Sequence, residues 1–319
     1  MVAMKNFLKI LPLVFFIILI LHVIPVCAKT QGKTAFAVTS DGEVFLMIPS
    51  SEKKIHHINQ RGVIVNRFGE EGPGEGEILA PIDMLLWKEK LYILDLFGPQ
   101  IKIFSKEGKL LGTIGKNFPK EQQMSKPFMM RIHHDEEKQS DFIYTLDVGK
   151  HLIMVFSLDG KYMNGISLNP DYEKYFEWMT SFNIDEESNF WFTTDSLEDI
   201  ALRHVLVFRK DGTLLKELSM SKTARGGFLT DIIPLPEGEF MVADSALSTS
   251  SSAYTGALIL FDSKGEPKDK KAIYDNKTSR FYSPRRVTLS AGGIYVLSSE
   301  DRLLHLDNNF EVLHSWSLQ

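Results

Sequence analysis

A chain of 319 residues, 44% hydrophobic and 24% charged, has the composition of a folded globular protein, neither collagen-like nor disordered. Its formal charge of −5 becomes −7 without residues 1–28, which carry Lys5 and Lys9 and no acid, and such an acidic surface argues against a general nucleic-acid partner. The single cysteine, Cys27, also falls in those residues, so the rest of the chain forms no disulfide and must be held by its core alone.

The first element is a signal segment over 1–28. Lys5 and Lys9 precede an apolar run from Ile10 to Val26, and Val26-Cys27-Ala28 closes it, the charged, apolar and small-residue parts of a secretory signal. Cleavage after Ala28 and export to the periplasm, cell envelope or exterior are expected. Two alternatives would leave the protein at a membrane: an uncleaved anchor, because the run is about long enough to span a bilayer, or lipidation of Cys27, which Ile24-Pro25-Val26 disfavours. The remaining stretch of about 290 residues can bury roughly three quarters of its unfolded surface without a crosslink.

Beyond the signal segment the chain is repetitive. An apolar or aromatic residue runs into a short polar turn closed by glycine at Ile58 to Gly62, Phe104 to Gly108, Phe156 to Gly160, Phe208 to Gly212 and Phe261 to Gly265, with a degenerate copy at Leu306 to Phe310. Successive copies lie 46, 52, 52, 53 and 45 residues apart, and a fixed period of about 40–50 residues marks a repeat architecture. Residues 81–115 show the unit: four short β-branched and aromatic runs separated by turns, which read as four strands in a meander, one propeller blade. The glycine is structural, since hairpin loops of this length place one residue in the left-handed region. A second mark ends the second strand, at Tyr92 to Asp95, Tyr144 to Asp147, Phe192 to Asp195 and Phe240 to Asp244. Acids there are expected to hydrogen-bond the backbone of the following turn. The blades fall at about 34–68, 81–115, 128–168, 181–219, 230–274 and 284–319, giving an all-β, six-bladed propeller with four antiparallel strands per blade and no strand exchange at closure.

Through Phe68-Gly-Glu-Glu-Gly-Pro-Gly-Glu-Gly-Glu-Ile-Leu-Ala-Pro81, Leu91-Tyr-Ile-Leu-Asp95 and Phe104-Ser-Lys-Glu-Gly108, the chain resembles the NHL-repeat and related six-bladed propeller families. Pro127 and Pro284 keep the proline before the first strand, which the fourth and fifth units lack. The resemblance brings two enzymatic precedents, a zinc-dependent lyase site and a calcium-dependent lactonase site.

Loop length separates the two faces of such a disc. Turns between third and fourth strands are uniformly short, while second-to-third loops grow from Leu96–Pro99 to Ser245–Gly256, and the linker between the third and fourth units spans Asn169–Thr180. Long loops without structure of their own tend to be functional, so the binding face is expected there. Asp83, Asp231 and Arg286 occupy equivalent positions on innermost strands, with Asp83 and Asp231 opposed across the channel mouth and Arg131 beside them. The linker aromatics Tyr172, Tyr175, Phe176 and Trp178 offer flat contacts for a peptide, glycan or protein, of which Tyr172 and Trp178 join the candidate set. Their alternative is a short helical cap folding the rings onto neighbouring blades. The polar Ser245–Gly256 loop reads as flexible.

Catalytic chemistry is poorly represented. Zinc needs three or four converging ligands, and the histidine pairs His56-His57 and His133-His134 alternate across a strand. Gly72-Pro-Gly-Glu-Gly76 carries acid and no following lysine, so it is not a phosphate loop. The expectation is a monomeric, non-catalytic binding or scaffold protein without a cofactor. The alternative is a metal-dependent hydrolase or lyase with calcium held by Asp83 and Asp231, a site that Arg286 on the same ring would oppose.

Overall fold

A computed structural model describes residues 35–47, 54–96, 98–196, 199–220, 227–246, 256–290, 292–300 and 302–317. The signal segment and most of the Ser245–Gly256 loop lie outside them. Among the described residues, six four-stranded antiparallel sheets follow one another, each with its strands in chain order. These are the blades, covering residues 35–68, 81–114, 127–167, 179–219, 227–271 and 284–317. Their innermost strands pack in sequence, Ala35–Val38 on Pro81–Trp87, then Pro127–Asp135, Met179–Ile184, Gly227–Pro234 and Pro284–Ser290, with the last against the first. First and last blades each keep their own four strands, so the ring closes by side-chain packing.

Period-two alternation builds the core. On one strand of blade 2, Leu91 and Ile93 enter the wedge shared with blade 1, while Tyr92 and Leu94 enter the wedge shared with blade 3. Every blade interface repeats this, giving six apolar clusters around the ring instead of one centre.

The recurring glycines hold left-handed backbone, from φ +77° at Gly62 to +91° at Gly108 and Gly160, and in every blade the register shifts beside the turn. They also have a second reason to lack a side chain. A Cβ at Gly108 would strike Phe68 of blade 1, and one at Gly212 would strike the Ser167 carbonyl of blade 3. Each turn therefore docks on the end of the preceding blade. Gly62 meets Trp316 in the same way, carrying the contact across the ring closure.

The second-strand acids bind backbone, but mostly that of the blade linkers. Asp95 accepts from Leu79 and Ala80, and Asp195 from Leu229 of the next blade. Asp147 serves both places, taking Ser125 and Lys126 in the linker and Gly149 and Lys150 in the following turn, and Asp195 also accepts from the Ser196 amide.

Candidate functional site at the linker end of the channel

Five of the inner strands, those of blades 2 to 6, carry a register shift near their linker end, and the residues that resume pairing after it are Asp83, Met129, Ser181, Asp231 and Arg286. A bulge bends a strand and re-aims the next side chain. This device makes Asp83, Asp231 and Arg286 structurally equivalent. Among the described residues of blade 1 the inner strand pairs without a shift, and it offers Ala35, Phe36, Ala37 and Val38, with no polar side chain.

Asp83, Arg131 and Arg286 come together. Arg286 Nη1 donates to Asp83 Oδ1 at 2.8 Å and Arg131 Nη1 to Asp83 Oδ2 at 3.2 Å. The Arg286 contact spans blade 1 entirely, joining blade 6 to blade 2. Asp83 also accepts from the Met84 and Met130 amides, each at 3.0 Å. Burial alone would raise its carboxyl, but the Arg286 and Arg131 guanidiniums outweigh burial and hold its pKa below the usual carboxylate value. Burial pulls Arg131 below the ordinary guanidinium value, and neighbouring Arg286 adds to that against the pull of Asp83 and Asp231. For Arg286 the same two acids prevail over burial and raise it.

Asp231 holds the expected inner-strand position but takes other partners. Its Oδ1 accepts from Ser181 Oγ at 2.5 Å and the Ile232 amide at 3.0 Å, and its Oδ2 from the Val287 amide at 2.9 Å. It is a latch between blades 4, 5 and 6. Arg286, one blade away, turns instead to Asp83. Asn183 repeats the latch one layer deeper, accepting from the Ile184 amide and donating to the Ile232 carbonyl. Ser181 and Asn183 were not read from the sequence, because nothing local marks the register shift that aligns them with the acids.

The two guanidiniums are the groups with capacity left. Each spends Nη1 on Asp83, Arg131 sharing that nitrogen with the Met130 carbonyl at 2.7 Å, and among the described residues the Nε and Nη2 atoms have no protein acceptor. Side-chain exposures are 15% for Arg131 and 13% for Arg286, against 2% for Asp83, and none of these nitrogens is among the buried polar atoms left without a partner.

Tyr172 and Trp178 lie elsewhere, on a 3-10 helix, Pro170–Trp178, which Asn169 caps by accepting from the Asp171 amide. Tyr175 and Phe176 are buried in the wedge between blades 3 and 4, Tyr172 packs edge-on against Phe208, and its hydroxyl donates to Glu217 at 2.8 Å. The helical cap thus describes most of these rings. Among the described residues no hydrogen bond or ring contact joins them to the arginine cluster.

His133 and His134 lie at the far end of their inner strand and divide their partners. His133 meets Ser188 Oγ at 2.9 Å while Asp141 pairs with His134 at 2.7 Å, so serine and acid do not share one imidazole as a triad requires. In the glycine-rich loop, the Gly74 amide donates to Glu77 of the same loop at 2.8 Å, occupying with an internal acid the position a phosphate would need. Among the described residues, no three histidine, cysteine or acidic side chains converge as a metal-binding group. The extra hairpin, Ile273–Asp275 with Arg280–Tyr282, belongs to the linker between blades 5 and 6. It buries Ile273 and Tyr282 and sets Tyr274 at a tilt against an exposed Phe281.

Neither a protein-family model nor a curated protein sequence matches the chain. Among solved structures it is similar to virginiamycin B lyase from Staphylococcus aureus, at 14% identity and TM-score 0.55, with 91% of this chain and 85% of that one covered. A protein of unknown function from Bacteroides caccae matches at 10% identity and TM-score 0.51, over 76% and 82% of the two chains. A chain of the nidogen/laminin complex matches at 14% identity and TM-score 0.51, over 83% and 90%. At such identities the likeness establishes architecture alone, and the architecture is a six-bladed β-propeller.

Proposed function

We propose that the protein is an exported, non-catalytic β-propeller that presents its linker face to a protein, peptide or glycan partner. The observation that carries this reading is uneven elaboration. Among the described residues, the 3-10 helices Lys120–Gln122, Pro170–Trp178 and Ile200–Leu202 and the added hairpin all lie in blade linkers or second-to-third loops, against Pro236–Gly238 alone in a first-to-second loop. Turns between third and fourth strands carry nothing beyond the recurring glycine or, in blade 6, Phe310. Asp83 and Asp231 support binding over catalysis, since their oxygens are engaged by arginine, serine and backbone donors. One structural neighbour is itself part of a nidogen/laminin complex, which fits a partner-binding role. The likeness to virginiamycin B lyase is one of fold, and the same fold hosts unrelated chemistries.

Crosslinking in the native envelope, followed by affinity recovery, tests the face. Phe281→Ala and Trp178→Ala should each reduce recovery of a crosslinked partner about tenfold, as loss of an aromatic anchor does. Leu215→Ala, at an exposed position of an outer strand, should leave recovery unchanged. Equal recovery by all three variants refutes the assignment of the face.

A further inference from the structure

We propose that the free Nε and Nη2 edges of Arg131 and Arg286 form a receptor for one carboxylate group at the linker end of the channel. The inference rests on the binding reading above and names the chemistry of the ligand: the partner or small molecule taken there carries a free carboxylate.

Both guanidiniums are already held in place, Arg131 by Asp83 and the Met130 carbonyl and Arg286 by Asp83. A guanidinium offers five N–H donors in a rigid planar fork that matches a carboxylate. Asp83 shows that a carboxylate fits between these two side chains from one side, with contacts of 2.8 and 3.2 Å. The side chains that carry the remaining donors are 13–15% exposed, accessible but largely surrounded by protein. Charge-assisted hydrogen bonds gain strength in such a setting, and pre-oriented donors lose little conformational freedom on binding.

Charge favours a monoanion. Arg131 and Arg286 balance Asp83 and Asp231, and the second of these acids is turned to Ser181 and backbone amides instead of the guanidiniums. One bound carboxylate leaves this quartet with a single excess negative charge, whereas a phosphate dianion leaves two. Blade 1, between the arginine of blade 6 and the acid of blade 2, supplies no competing acid from its inner strand.

The experiment uses the purified protein labelled with 15N. The arginine Nε–Hε signals of Arg131 and Arg286, assigned through Arg131→Lys and Arg286→Lys, are followed while acetate, N-acetylglycine, glucuronate, acetamide or inorganic phosphate is added at constant ionic strength set with chloride. Acetate should move both signals with a dissociation constant on the order of millimolar, while acetamide leaves them in place and phosphate binds more weakly. N-acetylglycine tighter than glucuronate identifies a peptide terminus as the source, and the reverse order a sugar acid. Either lysine variant keeps a charge beside Asp83 but loses the fork, and should weaken acetate binding about tenfold or more. Each variant's melting temperature, expected within about 3 °C of the parent, separates lost binding from lost folding.

Unmoved arginine signals, equal movement with acetamide, tighter binding of phosphate, or undiminished acetate binding in a folded lysine variant would each overturn the proposal. The face reading fails separately: recovery of a crosslinked partner that ignores Phe281 and Trp178 refutes that reading while leaving acetate binding as measured.

Discussion

Asp195 and Asp141 couple stability to pH with opposite signs. Burial, reinforced by nearby Asp244, raises the Asp195 carboxyl to about 6 even though the Leu229 amide and Arg203 pull it down. The folded protein therefore keeps a proton that the unfolded chain loses near pH 4, so this site favours folding below that value and its contribution is lost as pH rises through about 6. A gap of about 2 between the folded and unfolded pKa corresponds to roughly 3 kcal/mol. In urea titrations, Asp195→Asn should flatten the fall in stability between about pH 4 and 6. Asp141 runs the other way: burial pushes its carboxyl up, yet donors from Lys88, His134 and Trp87 override it and hold it at about 2. Its stabilisation is present above about pH 4 and lost as pH falls toward 2, and Asp141→Asn should remove that acid-side slope. Lys102 makes a buried ion pair, its ammonium 3.1 Å from Asp95 with both side chains at most 2% exposed. Lys102→Met leaves Asp95 without that charge and should cost about 3–5 kcal/mol by urea unfolding.

The glycine-closed turn both bends the chain and seats it on the neighbouring blade, and two glycines separate these roles. Gly98, at φ +63°, has no atom within 4 Å of a virtual Cβ, whereas Gly212, at φ +86°, has the Ser167 carbonyl in its way. Gly98→Ala should cost only the left-handed backbone term, about 1–2 kcal/mol. Gly212→Ala should cost clearly more in the same measurement, since backbone of blade 3 or 4 must shift. Phe310 fills the equivalent place in blade 6 at φ +66° and packs its ring against the core shared by blades 5 and 6, so the degenerate copy gains apolar burial where the others have glycine. These turns were legible in the sequence because their constraint is local: a residue type answers a backbone angle. The hairpin at 273–282 was not, since its strands have three residues each and Ile273 and Tyr274 read as a continuation of blade 5. Asp83, Asp231 and Arg286 could be aligned by counting residues. Their partners could not, because the bulge that aims each side chain leaves no signature in composition.

Six wedge-shaped clusters, each shared by two blades, mean that no blade has a core of its own. Far-ultraviolet circular dichroism and tryptophan fluorescence should therefore report one coincident urea transition, and an early fluorescence change would show blades unfolding separately. The strut from Arg286 to Asp83 has a temporal consequence. Its ends are 203 residues apart in sequence, so chain connectivity places it among the most expensive contacts to bring together. It can form only when blades 2 and 6 already flank blade 1, making it a marker of the last stage of folding. Arg286→Met should accordingly accelerate unfolding while leaving the refolding rate nearly unchanged. In stopped-flow experiments, a matching slowdown of refolding would place ring closure before the rate-limiting barrier, with the two ends of the chain finding each other first.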